Sequence, residues 1–417
     1  MLLREALKVL SAKVARRLFA YPGVRLGCIL WLGWLSCAAA TAQALEPSPP
    51  QQVGMSGERL KRLDEVIRAA IDNEEIPGAV VLVAREGRVV YRKAFGDRAL
   101  VPAKKPMLID TIFDVASLTK VLVTAPSIMI LVEEGRLSLT DRVSKYLPRF
   151  SQYGKHRVTV LQLLTHYSGL RPTLKGDSTW SGYDEALRLA LREQLVSSPG
   201  KKFIYSDINY MVLGELVQKI SEKSLDEFAQ ERIFGPLGME DTQFSPEPEL
   251  MEQIAPTEMR EGKMLQGIVH DPRAFRMGGC AGHAGVFSTV DDTARFSQMI
   301  LDGGAYRGKR VLSPLSVMQM TSPQSPPSEE SLRGLGFDIG SPFSTPRGDL
   351  FPRGSFGHTG FTGTSLWIDP FTKTFVILFT NRVHPRGKGN MVALRKRVAS
   401  VAAASIVDKI PSVLRWQ

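Results

Sequence analysis

A predominantly apolar run from Val121 to Val132 constrains the fold of this chain more than any other feature. A helix that is apolar on nearly every face is typical of the centre of a protein, and this run directly follows Ser117 and Lys120. In a helix, a spacing of three residues places both side chains on one face, one turn apart and within reach of a hydrogen bond. The run therefore predicts a buried central helix that begins with a serine beside a lysine, and Pro126 should bend it.

Ser117 and Lys120 are residue types that together can carry out nucleophilic catalysis. A serine hydroxyl at its ordinary pKa attacks poorly, so a neighbouring group has to take its proton. A lysine does so only if burial or nearby cations lower its own pKa, and the apolar helix supplies that burial. Because an S-x-x-K tetrapeptide also occurs by chance in a chain of 417 residues, the rest of the sequence has to support the assignment.

Composition and charge narrow the class of protein. With 417 residues, of which 43 % are hydrophobic, the chain is long enough to bury a sizeable core. Part of its formal net charge of +11 is concentrated at the N-terminus, and the remaining basic residues are interleaved with acidic ones. The sequence has no Lys/Arg block and no RNA-binding motif, so a nucleic-acid partner is not expected.

Residues 1–44 have the pattern of a targeting segment. A basic stretch precedes an apolar run from Leu26 to Ala40, and Ala40 to Ala44 offers two A-x-A cleavage sites. We expect this segment to be a signal peptide, or an N-terminal anchor if it is not cleaved. Either outcome places the remaining chain in the periplasm or otherwise outside the cytoplasm, with a membrane tether in the second case. After cleavage Cys280 would be the only cysteine, so no intrachain disulfide is expected.

Patterns typical of strands lie on both sides of a helical stretch. Two short apolar runs joined by a polar turn at about 79–91 predict a β-hairpin, and runs at 363–368 and 374–379 predict two further strands. Helical patterns dominate from about 135 to 285, and a terminal helix is expected from about 388 to 406. The sequence therefore predicts a sheet that is split in the chain around a helical insertion.

These patterns fit a single domain that extends from residue 56 to residue 410. The preceding segment, 45–55, contains three prolines and two glutamines, a composition typical of a linker. We therefore expect a targeting segment, a linker and one domain, in that order.

Five short segments occur in an order that is more specific than any one of them. They are Phe113–Lys120, Leu163–Leu170, Gly235–Met239, Gly282–Ser288 and His358–Gly360. Together they resemble the serine β-lactamase and DD-peptidase superfamily, in its class C-like branch. The resemblance implies an α/β fold in which an antiparallel sheet flanked by helices packs against an all-helical lobe, with the active site between them.

The second motif of that family is Tyr-x-Asn, and it appears here as Tyr205-Ser206-Asp207. The resemblance implies that Tyr205 acts as general base toward Ser117 and then as acid toward the leaving group, because a phenol beside a lysine can be held partly ionised. Asp207 departs from the usual asparagine, which donates a hydrogen bond to a substrate carbonyl, whereas an ionised aspartate only accepts. We expect Asp207 to lie in the substrate site, where it could instead pair with Lys120 and stabilise its ammonium form.

His358-Thr359-Gly360 stands where many members of the family have Lys-Thr-Gly, a replacement that some DD-peptidases share. By analogy these three residues bind substrate, and the backbone N–H groups of Ser117 and Phe361 form the oxyanion hole. Gly360 would let the substrate backbone approach the strand closely. His358 is expected to be partly cationic near neutral pH, and therefore to hold a substrate carboxylate less firmly than a lysine would.

The other histidines favour structural roles. His270 and His283 lie in glycine-rich loops of the family pattern, where shaping the loop is favoured over catalysis, and His166 is interpreted as structural. The sequence has no H-E-x-x-H or C-x-x-C spacing and no Walker or dinucleotide glycine loop. Neither a metal nor a cofactor is therefore expected.

These observations predict an exported serine hydrolase that acts through a Ser117 acyl-enzyme on a small peptide or ester. Export and the His358 motif favour DD-carboxypeptidase-like or penicillin-binding activity on peptidoglycan-derived peptides. A carboxylesterase or a weak β-lactamase of the same family is the alternative, since the predicted carboxylate anchor is weak. A non-catalytic binding protein on the same fold is the alternative from another class, and the retention of Ser117, Lys120 and Tyr205 argues against it.

Overall fold

The computed structural model describes residues 45–175, 180–387 and 389–409. The signal peptide or anchor expected at residues 1–44 lies outside the described residues.

An antiparallel sheet of eight strands forms the middle of the structure. The strands of the described residues are β1 (Gly78–Arg85), β2 (Arg88–Ala99), β3 (Lys105–Pro106), β4 (Phe113–Asp114), β5 (Gln243–Phe244), β6 (Met259–Arg260), β7 (Lys263–Met264), β8 (Val286–Ser288), β9 (Ala305–Tyr306), β10 (Lys309–Arg310), β11 (Leu332–Arg333), β12 (Asp338–Gly340), β13 (Phe356–Thr359), β14 (Ser365–Asp369) and β15 (Thr374–Thr380). The large sheet has the order β11-β12-β13-β14-β15-β1-β2-β3, so strands from both ends of the domain pair at its centre. A small sheet of β4, β8 and β5 lies apart from it and carries the residues that precede Ser117.

Helices cover both faces of the large sheet and form the lobe beside it. They are α1 (Gly57–Leu60), α2 (Arg62–Asp72), α3 (Ala125–Glu133), α4 (Val160–Leu164), α5 (Tyr183–Arg192), α6 (Asp207–Ser221), α7 (Leu225–Ala229), α8 (Gly235–Leu237), α9 (Pro272–Arg276), α10 (Val290–Leu301), α11 (Pro314–Thr321) and α12 (Met391–Ala404). The predicted fold class, an antiparallel sheet flanked by helices with a helical lobe, is confirmed.

Strand β1 shows why the sheet lies in the middle. Its side chains alternate between two cores, as the period of two in a strand requires. Val80 and Leu82 belong to the core that contains α3 and α10, whereas Val81 and Val83 belong to the core that contains α2 and α12. Because all eight residues of β1 are buried, the strand reads in sequence as a continuous apolar run.

The apolar run after Lys120 forms the predicted central helix, but its first turns are not α-helical. A 3₁₀ turn at Ala116–Leu118 carries Ser117, and a π-helical turn at Lys120–Thr124 precedes α3. Pro126 lies in the first turn of α3, where its missing N–H is tolerated. Among the described residues, the stretch Ala116–Glu133 alone is long and apolar enough to span a membrane, and 83 % of it is buried in the protein. The burial of this stretch in the core therefore explains why it is so apolar.

The helical insertion contains more than helices. Helices α4 to α9 lie within residues 135–285, where the sequence predicts helical structure, but β5, β6 and β7 lie there as well. Each of these strands has two residues, which is too short to show the alternation from which a strand is predicted.

Residues 45–55 contact the domain and do not form a free linker. Pro47 pairs with Val89, and Met55 pairs with Ile406, in isolated β-bridges. Met55 is 0 % exposed and belongs to the core between α2 and α12. The proline-rich composition does not exclude packing: Pro50–Val53 forms a 3₁₀ turn, and the buried Met55 fixes this segment on the domain.

Met55→Ala should destabilise the domain because it removes a fully buried side chain. The expected loss in the free energy of unfolding is about 2–5 kcal/mol, measured from the denaturant midpoint. Met318→Ala, on the exposed side of α11, is the matched control, since Met318 is 51 % exposed. We expect the control to change the free energy by about 0.5 kcal/mol or less. Equal midpoints for the two variants would show that residues 45–55 are not part of the folded domain.

Candidate active site

The turn that carries Ser117 is held by a buried carboxylate. Asp114 Oδ1 accepts the backbone N–H of Ala116 at 2.8 Å, and Asp114 Oδ2 accepts that of His270 at 2.7 Å. Ala116 has a φ of 47°, a left-handed conformation that is uncommon for a residue with a Cβ. Such strain persists only where surrounding contacts enforce it. The hydrogen bonds of Asp114 therefore fix the position of the serine.

The ammonium group of Lys120 meets three acceptors in the core. Its Nζ lies 3.0 Å from Ser117 Oγ, 2.8 Å from the carbonyl oxygen of His283 and 2.8 Å from Asp207 Oδ1. An ammonium has three N–H donors, so these contacts satisfy all of them. The structure thus brings Ser117, Lys120 and Asp207 together around one nitrogen atom.

Asp207 determines the charge state of Lys120. Burial lowers the pKa of this lysine, but the neighbouring carboxylate of Asp207 and the phenol of Tyr205 raise the pKa above its ordinary value. Lys120 is therefore an ammonium at neutral pH and has no lone pair with which to take a proton from Ser117. The apolar helix buries the lysine, as the sequence predicts, without making it a base.

Tyr205 lies between Lys120 and His166. The centroid of the Tyr205 ring is 5.1 Å from Lys120 Nζ and 4.4 Å from the ring of His166, on which it stacks. His166 Nδ1 accepts the N–H of Ser206 at 3.0 Å, and the carbonyl of His166 accepts the N–H of Ile204 at 3.0 Å. Burial lowers the pKa of His166 well below its ordinary value, so the ring is neutral. One buried histidine thus holds the backbone on both sides of Tyr205.

His358 is neutral, which corrects the expectation that it carries a partial positive charge. Burial, together with the charges of Arg333 and Lys120, lowers the pKa of His358 well below its ordinary value. Its Nδ1 lies 2.8 Å from the carbonyl oxygen of Thr359, which can only accept. Nδ1 therefore carries the proton, and Nε2 is left as an acceptor. His358 cannot attract a substrate carboxylate through charge.

Gly360 is required by the packing of the protein itself. A Cβ at this position would lie 2.0 Å from Thr364 Oγ1 and 2.5 Å from the carbonyl oxygen of Val115. Thr364 Oγ1 donates to the carbonyl of Val115 at 3.1 Å, and Thr362 Oγ1 donates to that of Asp114 at 2.7 Å. These bonds tie the loop after β13 to the residues that precede Ser117.

Phe361 forms an exposed aromatic wall and is 63 % exposed. The ring of His270 stacks against it with centroids 5.5 Å apart, and the guanidinium of Arg382 lies 4.6 Å from its centroid. Arg382 Nε also donates to the carbonyl of Phe361 at 3.0 Å, and His270 Nε2 lies 3.1 Å from Glu258 Oε1. These contacts fit a loop-shaping role for His270.

His283 shapes the loop that provides an acceptor for Lys120. Its Nε2 lies 3.0 Å from Asp271 Oδ1, and Asp271 caps helix α9 by accepting the N–H groups of Arg273 and Ala274 at 2.9 and 2.8 Å. The ring of His283 is buried, so its side chain anchors the loop and its carbonyl contacts Lys120. In the part of the chain that the structure describes, no group of three His, Cys, Asp or Glu side chains could hold a metal ion.

A cavity of about 490 Å³ opens over Ser117. The residues that line it are Ser117, Tyr205, Asp338, Phe343, His358, Thr359, Gly360, Phe361, Arg382, Gly389, Asn390, Met391, Val392 and Arg395. Most of the predicted site residues are among them. Asp207 is not, because it faces Lys120, and this differs from the expectation that it lies in the substrate site.

The cavity also contains residues that the sequence does not identify, above all Arg382 and Arg395. Arg382 follows β15 and shows no distinguishing pattern. Arg395 does leave a signal, because it lies on the apolar stripe of α12 together with Leu394 and Val398, all of them buried. A charged residue on the buried stripe of a predicted helix is a reason to suspect a site.

Comparison with known proteins gives a consistent result. A family model described as Beta-lactamase matches residues 63–400. A relative from Escherichia coli strain K12 is 32 % identical over 392 residues, which cover 84 % of this chain and 89 % of the relative. Another from Salmonella typhimurium is 33 % identical over 390 residues, with the same coverage. Both carry the name "Putative D-alanyl-D-alanine carboxypeptidase".

Solved structures show the same fold. The octameric penicillin-binding protein homologue from Pyrococcus abyssi is 27 % identical, with a TM-score of 0.66 over 84 % of this chain and 78 % of that chain. EstCE1, a hydrolase with promiscuous acyltransferase activity, is 22 % identical, with a TM-score of 0.67 over 83 % of this chain and 99 % of that chain. The chain therefore shares its fold with a penicillin-binding protein homologue and with a hydrolase.

Asp207→Asn should lower the pKa of Lys120, because it removes the negative charge 2.8 Å from its Nζ. If the ammonium is the active form, the alkaline limb of the kcat/KM profile for a chromogenic ester should move down by about one pH unit or more. Asp72→Asn, at the exposed end of α2, should leave the profile unchanged. A shift of the acidic limb instead would show that Lys120 has to lose its proton to act.

Proposed function

Because the chain belongs to the β-lactamase family of serine hydrolases, we propose that it is an exported D-alanyl-D-alanine carboxypeptidase-like enzyme that acts through an acyl-enzyme on Ser117. The observation that carries the proposal is the contact of Ser117 Oγ with a buried ammonium, 3.0 Å away, at the floor of a cavity that Tyr205 also lines. The names of the relatives support the choice of a D-alanyl peptide as substrate.

In this proposal Tyr205 is the general base and Lys120 is the cation that supports it. Lys120 donates a hydrogen bond to Ser117 Oγ, which leaves the hydroxyl proton of the serine free for another acceptor. A phenolate beside an ammonium is stabilised, so Tyr205 can take that proton while Ser117 Oγ attacks the substrate carbonyl. The presence of Asp207 in place of asparagine fits this division of roles, since it keeps Lys120 charged.

The remaining steps follow from the same groups. The backbone N–H groups of Ser117 and Phe361 bind the oxyanion of the tetrahedral intermediate. The carbon–nitrogen bond then breaks, and Tyr205 returns its proton to the amine of the departing D-alanine. Water attacks the Ser117 ester with Tyr205 again as base, which releases the shortened peptide and restores the serine hydroxyl.

Arg382 is the group that we assign to the carboxylate of the terminal D-alanine. His358 is neutral and cannot hold that charge, whereas Arg382 lines the cavity next to Phe361. Burial lowers the pKa of Arg382, but a guanidinium starts from so high a value that it stays charged at neutral pH. Its planar fork also matches the geometry of a carboxylate.

Export completes the proposal, since peptidoglycan peptides lie outside the cytoplasm. It is supported by the basic and apolar pattern of residues 1–44 and by the two A-x-A sites that end at Ala42 and Ala44. A membrane tether would result if this segment is retained.

Ester hydrolysis is the second candidate activity, and one observation favours it. Phe343, Phe361 and Val392 are exposed apolar side chains around the cavity over Ser117. An apolar rim suits a small acyl ester that has no carboxylate to bind. The two activities differ in their need for Arg382.

Intact-mass analysis of the exported protein tests the acyl-enzyme. The mature chain should begin at Gln43 or Leu45 and gain one adduct after treatment with a fluorophosphonate or a penicillin, because Ser117 has a cation and a base beside it. Ser117→Ala should gain none, whereas Ser138→Ala, which removes an exposed serine, should be labelled like the wild type. Labelling that persists without Ser117 would contradict the assignment, and an intact residue 1–44 segment would contradict cleavage.

Arg382→Met should distinguish peptidase from esterase. If Arg382 binds the terminal carboxylate, KM for a D-Ala-D-Ala peptide should rise about 10- to 100-fold, the worth of a hydrogen bond to a charged group. KM for a chromogenic ester without a carboxylate should not change. Arg386→Met, an exposed arginine four residues away, is the matched control. A peptide KM that equals the wild-type value would exclude this role for Arg382.

A further inference from the structure

We propose that Arg395 is a positioning residue of the oxyanion hole, which it controls through the peptide bond between Gly360 and Phe361. The inference rests on the proposed function, in which the N–H of Phe361 binds the oxyanion. The carbonyl of the same peptide bond, that of Gly360, accepts a hydrogen bond from Arg395 at 2.7 Å and a longer one from the N–H of Gly363 at 3.2 Å.

Arg395 fastens both ends of the loop that follows β13. It is 9 % exposed, and its Nη2 lies 2.7 Å from the carbonyl oxygen of Gly360 and 2.8 Å from that of Thr364. The N–H of Gly360 also donates to the carbonyl of Thr364, at 2.8 Å. A single nitrogen atom of Arg395, Nη2, thus joins the two ends of the loop from residue 360 to residue 364.

The geometry of a peptide bond transmits this contact to the substrate. The peptide unit is planar and trans, so its C=O and its N–H point in opposite directions. Fixing the carbonyl of Gly360 on Arg395 therefore fixes the direction in which the N–H of Phe361 points. A charge-assisted hydrogen bond to the carbonyl also polarises the amide, which strengthens the N–H as a donor.

The charge of Arg395 is unusual for a buried group. The ion pairs of the described residues include none with Arg395, although burying a charge without a partner is costly. Burial and the neighbouring Arg382 lower the pKa of Arg395 to about 9, so it remains a cation at neutral pH. A cation without a counter-ion next to the loop stabilises negative charge that develops on the substrate oxygen.

A direct contact with the substrate carboxylate explains Arg395 less well. Its Nη2 is engaged by two backbone carbonyls, and its Nε is inaccessible to solvent. Arg382 lines the same cavity, and its Nε donates to the carbonyl of Phe361. That carbonyl is not part of the peptide bond between Gly360 and Phe361. We therefore assign Arg382 to the substrate and Arg395 to the loop.

The test compares Arg395→Met and Arg395→Lys with the wild type on a chromogenic ester that lacks a carboxylate and on a D-Ala-D-Ala peptide. We expect Arg395→Met to lower kcat about 10- to 100-fold on both substrates, somewhat less than the loss of an oxyanion donor. KM should stay within about two-fold, and a boronic acid that mimics the tetrahedral intermediate should bind more weakly by a similar factor as kcat falls. Arg395→Lys should recover part of kcat. Arg397→Met, an exposed neighbour on α12 that pairs with Glu75, should behave as the wild type.

Each outcome decides the inference. An unchanged ester kcat in Arg395→Met, or a rise in KM for the peptide alone, would overturn it in favour of a carboxylate anchor. If Arg395→Met does not fold, the test is made on Arg395→Lys, by measuring the carbonyl stretching frequency of its acyl-enzyme. That frequency should rise because the hydrogen bonds to the oxygen weaken, and an unchanged frequency would overturn the inference.

The same experiment separates this inference from the proposed substrate. A wild-type enzyme that turns over the ester but not the peptide would refute the carboxypeptidase activity, and the ester would still report on Arg395. A wild-type protein that is not acylated at Ser117 would refute the proposed function and this inference with it.

Discussion

The rest of the site depends on how one buried ammonium is compensated. Lys120 lies in an apolar core, where a charge is stable only if it is paired and hydrogen-bonded. One of its three acceptors is the serine one turn earlier, and the other two, the carbonyl of His283 and the carboxylate of Asp207, come from distant parts of the chain. Each acceptor is held in turn, and the loop of His283 is anchored by Asp271. The contacts with Lys120 Nζ therefore hold the central helix, the helical lobe and the glycine-rich loop in fixed positions relative to one another.

Local periodicity made much of this predictable. A spacing of three residues was enough to bring Ser117 and Lys120 within 3.0 Å, even though the turn between them is 3₁₀ and π rather than α. The strands β1 and β15 were predictable for a similar reason, since both are buried along their whole length and read as apolar runs. Asp207 stood out only against the family motif, and its position beside Lys120 follows from the need of a buried lysine for a counter-charge.

The charge states and the distant residues were not predictable. His358 has an ordinary sequence context, and its neutrality results from burial and from Arg333, which lies on another strand. Arg382 and Arg395 reach the cavity because β15 lies in the middle of the sheet and α12 packs across it. The linker predicted at 45–55 packs on the domain for a related reason, because composition describes local flexibility, whereas Met55 is buried by a contact with Ile406. Tertiary contacts set each of these properties.

Asp207 and His358 both depart from the family motifs, and together they change where charge lies in the site. Where the family motif has a lysine at the strand end, this chain has a neutral histidine, and the aspartate at 207 cancels the charge of Lys120. The attraction for an anionic substrate then has to come from elsewhere. In the proposed mechanism Arg382 supplies that attraction from the wall of the cavity, and Arg395 acts on the oxyanion through the carbonyl of Gly360. Proton transfer and anion binding are in this way assigned to separate groups of residues.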